Sequence, residues 1–159
     1  MSNQCLHFQY CSTCSLKELN HDKYWEIKKA PLSNWLSTIH IVQDLPMDHI
    51  RDRIDLTISN GKFGFFHLDN GGFFEIQECW QMSSELLSFF HEIKNDIPPF
   101  IKKGSVRLRV GHYKQRGLWF DLSHVDTKQC LDDQVWCQRI LKKAIVEFGQ
   151  KGKELIWDD

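Results

Sequence analysis

Three cysteines fall within the ten residues "CLHFQYCSTC" at 5–14, with five residues between Cys5 and Cys11 and two between Cys11 and Cys14. A two-residue gap lets a tight turn bring both thiolates round one metal centre, and a five-residue loop carries a third within reach. A tetrahedral zinc needs four ligands and a cubane iron-sulfur cluster needs one thiolate per iron, so a fourth must come from elsewhere. Cys79, Cys130, Cys137, His7 and His21 are the candidates. Cys79 is preferred, because it stands at a strand-to-helix junction where a side chain can face a neighbouring loop. Cys130 and Cys137, seven apart on an expected helix, read first as small apolar core residues. The N-terminus "MSNQCLHFQYC" has no basic segment leading into an apolar stretch, so no secretory signal is read. Reduced cysteines in a cytoplasmic protein are expected, and there metal binding outranks disulfide formation.

The elements that must position these thiols can be read from period and punctuation. At 159 residues one compact domain spanning 1–159 is expected, with a cysteine loop and helix over 1–30. That first helix is placed around 21–29 and stopped by Pro31. In "RDRIDLTI", Ile54, Leu56 and Ile58 alternate with Arg53, Asp55 and Thr57, the period of a half-buried strand. Asn60-Gly61 then calls for a tight hairpin turn, "KFGFFHL" for a returning strand, and "DNGG" at 69–72 for a second turn into "FFEI". The spacing of Leu86, Phe90 and Ile93, capped by Ser83 or Ser84, predicts a helix over 83–95. "SVRLRVG" and "RGLWFDL" alternate again and read as a further hairpin, so antiparallel strands and one helix fill 50–122. A long helix is expected over 126–148, stopped by Gly149, and the closing "KGKELIWDD" could begin a strand. The fold class is α+β: antiparallel hairpins packed with helices, carrying an N-terminal cysteine-rich metal or cluster loop. No run approaches the roughly 18 apolar residues of a membrane span, so no membrane association is expected.

Taken together, Cys5, Cys11 and Cys14, then 64 intervening residues and Cys79, resemble the iron-sulfur signature of the RNA 5-methyluridine (uracil-C5) methyltransferases of the TrmA/RumA type. "CLHFQYCSTCSLKELNHDKYWEIKK" is similar to that family's cluster loop and following helix. "HIRDRIDLTISNGKFGFFHLDNGGFFEIQECWQMS" is similar to its arginine-bearing strand, its hairpin and the segment holding the last ligand. Trp80 stands where the family usually has proline, and Ser12 and Thr13 stand in place of paired glycines. The resemblance implies that Cys5, Cys11, Cys14 and Cys79 ligate a [4Fe-4S] cluster. It also implies an RNA partner, rRNA or tRNA, and S-adenosylmethionine bound by a C-terminal Rossmann-like methyltransferase domain. Nothing in 1–159 resembles that domain, so the chain is expected to be a truncated or split form whose catalytic domain acts in cis or in trans. By itself it is expected to be inactive, and no catalytic residue is assigned.

Twenty basic against twenty-one acidic residues exclude a globally basic nucleic-acid binder, so any RNA-binding surface must be local. Arg51, Arg53, Lys62, Arg107, Arg109 and Arg116 gather in the predicted hairpins, with Trp119 or Phe65 available to stack on bases. A solvated outer face, with Asp52, Asp55 and Asp121 interleaved, is the plainer reading of the same residues. Two other uses of the cysteines stay open: a zinc-stabilised nucleic-acid or protein interaction module without enzymatic role, and a plain α+β protein whose thiols are structural.

Overall fold

The computed structural model describes residues 5–7, 9–11, 13, 26–27, 29–35, 49–67, 69–150 and 153–155. Its centre is a seven-stranded sheet in the order β3-β2-β1-β4-β5-β6-β7, with β1 Arg53–Ser59, β2 Lys62–Phe66, β3 Phe73–Glu75, β4 Lys103–Val110, β5 Arg116–Leu122, β6 Ile145–Gln150 and β7 Lys153–Leu155. Helices α1 Ser84–Ile93, α2 His124–Asp132 and α3 Gln134–Leu141 accompany it. The mixed α+β class expected from the sequence is the one observed.

The first hairpin forms where Asn60 and Gly61 both take positive φ, at 50° and 70°, as a tight two-residue turn requires. The alternation read in β1, β4 and β5 becomes a two-faced sheet. Ile54, Leu56, Ile58, Val106, Leu108, Val110, Leu118, Phe120 and Leu122 are buried on one face, while Arg53, Asp55, Arg107 and Arg109 stay exposed on the other. The two predicted hairpins are one sheet, because β1 pairs antiparallel with β4 along its whole length, from Arg53 opposite Arg109 to Ser59 opposite Lys103. Helix α1 covers the buried face with Leu86, Phe89, Phe90 and Ile93, and the Ser83 hydroxyl caps it by accepting from the Leu86 N–H at 3.3 Å.

One expectation gives way. The long helix over 126–148 is two short helices and a strand. The Asp133 carboxylate accepts from the Trp136 N–H at 2.9 Å and starts α3 afresh, and β6 then runs parallel to β5. In β6 the buried Val146 and Phe148 alternate with Ile145 and Glu147, a period of two that the helical reading overrode. Gly149 is therefore a strand residue, and β7 pairs with β6 as an added antiparallel strand. The described α-helical residues 26, 27 and 29 end before Pro31, as expected, and a 3₁₀ helix, Ala30–Trp35, follows. Proline is tolerated in the first turn of that 3₁₀ helix because the N–H it lacks has no partner there. The rest of the helix placed at 21–29, and Cys14 and His21, lie outside the described residues.

The core closes where Trp136 packs on the stacked rings of Phe120 and Phe148, and its Nε1–H donates to the Asp96 carbonyl at 2.7 Å. Cys130 and Cys137 are buried, on successive helices rather than one. The Cys137 thiol donates to the Cys130 carbonyl at 3.0 Å. Among the described residues no helix is long and apolar enough to cross a membrane.

Candidate functional site

The cysteine loop is fastened to the sheet through its histidine. The His7 carbonyl accepts from the Cys11 N–H at 2.9 Å. His7 is only 5% exposed, and its two ring nitrogens are both engaged. Nε2 accepts from the Gln77 N–H at 3.2 Å, which leaves Nδ1 as the donor to the Tyr10 hydroxyl at 2.9 Å. Burial, partly opposed by Glu78, holds this imidazole below its usual pKa and so favours the neutral ring the bonds require. Tyr10 meets Phe74 edge-on at 4.9 Å and lies 4.8 Å from His67, while His7 lies 5.3 Å from Phe74. A backbone bridge joins Cys11 to His67. His7, weighed from sequence as a possible ligand, is instead the clamp that seats the loop against the β2-β3 hairpin.

That seating brings the thiols of Cys5 and Cys11 within electrostatic reach of Cys79, across some seventy residues of chain. The Cys79 thiol is pushed up chiefly by burial. The Gln81 N–H, which donates to its sulfur, and the Arg51 guanidinium pull it down, while Cys5 and Cys11 push it up. Arg51 is held there by the backbone: its N–H donates to the Gln81 carbonyl at 2.7 Å and its carbonyl accepts from the Ser83 N–H at 2.8 Å. By donor chemistry, thiols suit a zinc ion or an iron-sulfur group. Among the described residues, no three His, Cys, Asp or Glu side chains gather tightly enough to hold a single ion, and Cys14 is not among those residues. Cys130 differs in kind: burial first, then Cys137, Asp126 and Asp133, pushes its thiol up to about 12, the state of an inert core cysteine.

The six basic residues expected to face RNA are divided by the fold. Arg51 lies beside Cys79, and Lys62 pairs with Glu75 across β2 and β3. Arg116, 21% exposed, turns to helix α1, where it bonds Glu92 at 2.8 Å and Glu85 at 3.3 Å and lies 5.1 Å from the Phe89 ring. It fastens α1 to β5. Arg53, Arg107 and Arg109 share the outer sheet face, where the Asp55 carboxylate accepts from Arg107 and also lies 3.7 Å from Arg53. Phe65 is buried in the core, reaching only the wall of a concavity beside Arg53, whereas Trp119 is half-buried on the outer face.

Register sets two rows across that face: Arg53, Arg109, Gly117 and Ile145, then Asp55, Arg107, Trp119 and Glu147. They border a concavity of about 370 Å³, lined among others by Arg107, Arg109, Gly117, Trp119, Ile145 and Glu147. A second, of about 430 Å³, lies between Thr13 and the start of β1 and is bordered by Arg51, Arg53 and Asp55. Ile145 and Glu147 were missed from the sequence because they were read as helical; the alternation of "IVEF" was the available signal.

Fold and site together define a mixed α+β domain in which an N-terminal cysteine loop is docked on a sheet-to-helix junction bearing a further cysteine. No protein-family model matches the chain. Over 109 residues it is 40% identical to a protein of Bdellovibrio bacteriovorus described as an uncharacterized RNA methyltransferase. That stretch is 69% of this chain and spans only 28% of that protein.

Proposed function

We propose that the chain is the iron-sulfur-cluster-binding, RNA-contacting portion of an S-adenosylmethionine-dependent RNA (uracil-C5) methyltransferase of the TrmA/RumA type. The observation that carries this reading is the fastening of the loop that bears Cys5 and Cys11 to the segment that bears Cys79, where the His7 Nε2 accepts from the Gln77 N–H at 3.2 Å. The similarity to the Bdellovibrio protein supports the RNA-modifying part of it. Cys5, Cys11, Cys14 and Cys79 would hold a [4Fe-4S] cluster, which when bound supplies a covalent tie between the N-terminal loop and the sheet. His7 seats the loop, the Gln81 N–H donates to one ligand sulfur, and Arg51 places a positive charge beside it. Such hydrogen bonds and charges are the means by which a protein tunes a cluster's potential.

Methylation at C5 of uracil needs a thiolate to add at C6 and a base to remove the C5 proton. Cys130 and Cys137 are core thiols with raised pKa values and do not serve as that nucleophile. The methyl-transfer step and S-adenosylmethionine binding are therefore assigned to a catalytic domain outside the described residues, in cis or in trans, acting on rRNA or tRNA. Anaerobic purification with iron, sulfide and zinc analysis is the test. About four irons per chain with matching sulfide, and loss of the brown colour in Cys79→Ser, are expected. Stoichiometric zinc would replace this reading with the zinc-stabilised interaction module, and no metal at all would overturn both.

A further inference from the structure

On the outer face of the sheet, the concavity over Gly117 combines an aromatic plane, two guanidinium groups and a carboxylate. A Cβ added to Gly117 would meet nothing within 4 Å, so the absence of a side chain there leaves the floor open. Ile145, 66% exposed, walls one side as an apolar surface, and Arg109 walls the other. Along the strand from that floor stands Trp119, whose ring lies across Gly149: a Cβ at 149 would fall 2.3 Å from its Cζ2. Glycine at 149 therefore allows the indole to lie low against the sheet. Arg107 is steadied by Asp55, whereas Arg109 forms no ion pair among the described residues. Glu147 sits opposite Trp119 in register.

From this arrangement we infer that the outer face between β4 and β6 is a binding slot for one unstacked nucleotide of single-stranded RNA, an inference that rests on the RNA-contacting part of the proposed function. The base stacks on Trp119 and packs against Ile145. Arg109 meets the phosphate, and the Glu147 carboxylate accepts from an edge bearing N–H donors. Uracil offers a carboxylate only its N3–H, flanked on both sides by acceptor oxygens that repel it, whereas guanine, adenine and cytosine each present an amino group. The slot therefore prefers amino-bearing bases, and it holds a nucleotide other than the uridine to be methylated. Guanidinium groups over a sheet face with a set aromatic ring match the stacking platforms on which single strands are held.

The test is fluorescence anisotropy of the full chain, purified anaerobically, with labelled single-stranded RNA about eight nucleotides long, either all uridine or of mixed adenine and cytosine, and with an RNA duplex. Tighter binding of the adenine-cytosine strand than of the uridine strand or the duplex is expected. Trp119→Ala should weaken it about tenfold or more, with Trp119→Phe recovering most of the loss. Glu147→Gln should shrink the preference over uridine, and Arg109→Ala should reduce the salt dependence by about one phosphate contact. Unchanged affinity in Trp119→Ala, with the chain still binding RNA and keeping its metal, would overturn the slot while leaving the proposed function standing. A chain that keeps its metal yet binds none of the RNAs would overturn the slot and the RNA-contacting reading together, and loss of metal in the wild type would count against the cluster alone.

Discussion

Asp96 shows how much a single side chain outside the site can hold. It lies just beyond α1, with its side chain 12% exposed, and its carboxylate accepts from Arg139 at 2.7 Å and Lys143 at 2.8 Å. Burial alone would raise its pKa, but the two cations outweigh that and hold it below the usual carboxylate range. A carboxyl group with a depressed folded-state pKa contributes stability that is present above its unfolded value and lost as pH falls through the folded one. Asp96→Asn is expected to destabilise the chain by about 1–2 kcal/mol at neutral pH and to flatten the acid limb of a Tm-against-pH curve below about pH 4. A variant as acid-sensitive as the parent would remove Asp96 from that role. Nothing at residues 94–97 in the sequence marks this hub, because its partners come from more than forty residues away. The cysteine loop was easier to read, since its thiols lie close together in sequence, but the role of His7 depended on a Gln77 N–H seventy residues distant.

At the scale of elements, the strands and α1 followed from local pattern, whereas the region after β5 did not. A hydrophobic spacing of Leu131, Val135, Leu141 and Ile145 suits a helix, yet Val135 and Ile145 are largely exposed and Trp136, Cys137 and Ile140 fill the core instead. Asp133 decides the break by capping α3. Asp133→Ala should therefore cost about 1 kcal/mol in urea unfolding with an unchanged m-value. A cost near zero would mean that packing alone sets the start of α3. Gly149→Ala is a sharper probe of β6, because the new Cβ must displace the Trp119 ring. An expected loss of about 1–3 kcal/mol should come with an altered tryptophan emission spectrum and weaker binding of single-stranded RNA. Retained stability and emission would mean that the ring does not rest on that backbone.

Over the whole molecule, the sheet and its helices form one core, and the described part of the cysteine loop joins it through the buried Cys11 and through Tyr10 packed against it. The His7 bonds, the Cys11 bridge to His67 and the aromatic contacts around Phe74 add to that attachment. Removing a bound cluster by oxidation and chelation is expected to open the N-terminal region to limited proteolysis while residues 53–150 keep a cooperative thermal transition. Simultaneous collapse of both would show that the cluster belongs to the global fold. By itself the sequence determined the α+β class, the first hairpin, the capped helix α1 and the candidate thiols, because dihedral preference, residue period and capping act within a few positions. Tertiary structure decided that His7 fastens the loop to Gln77, that β6 joins β5 in parallel, and that Arg116 turns from the outer face to helix α1. Those outcomes depend on which distant surfaces bury one another, a competition between packing and local propensity that short-range pattern does not record.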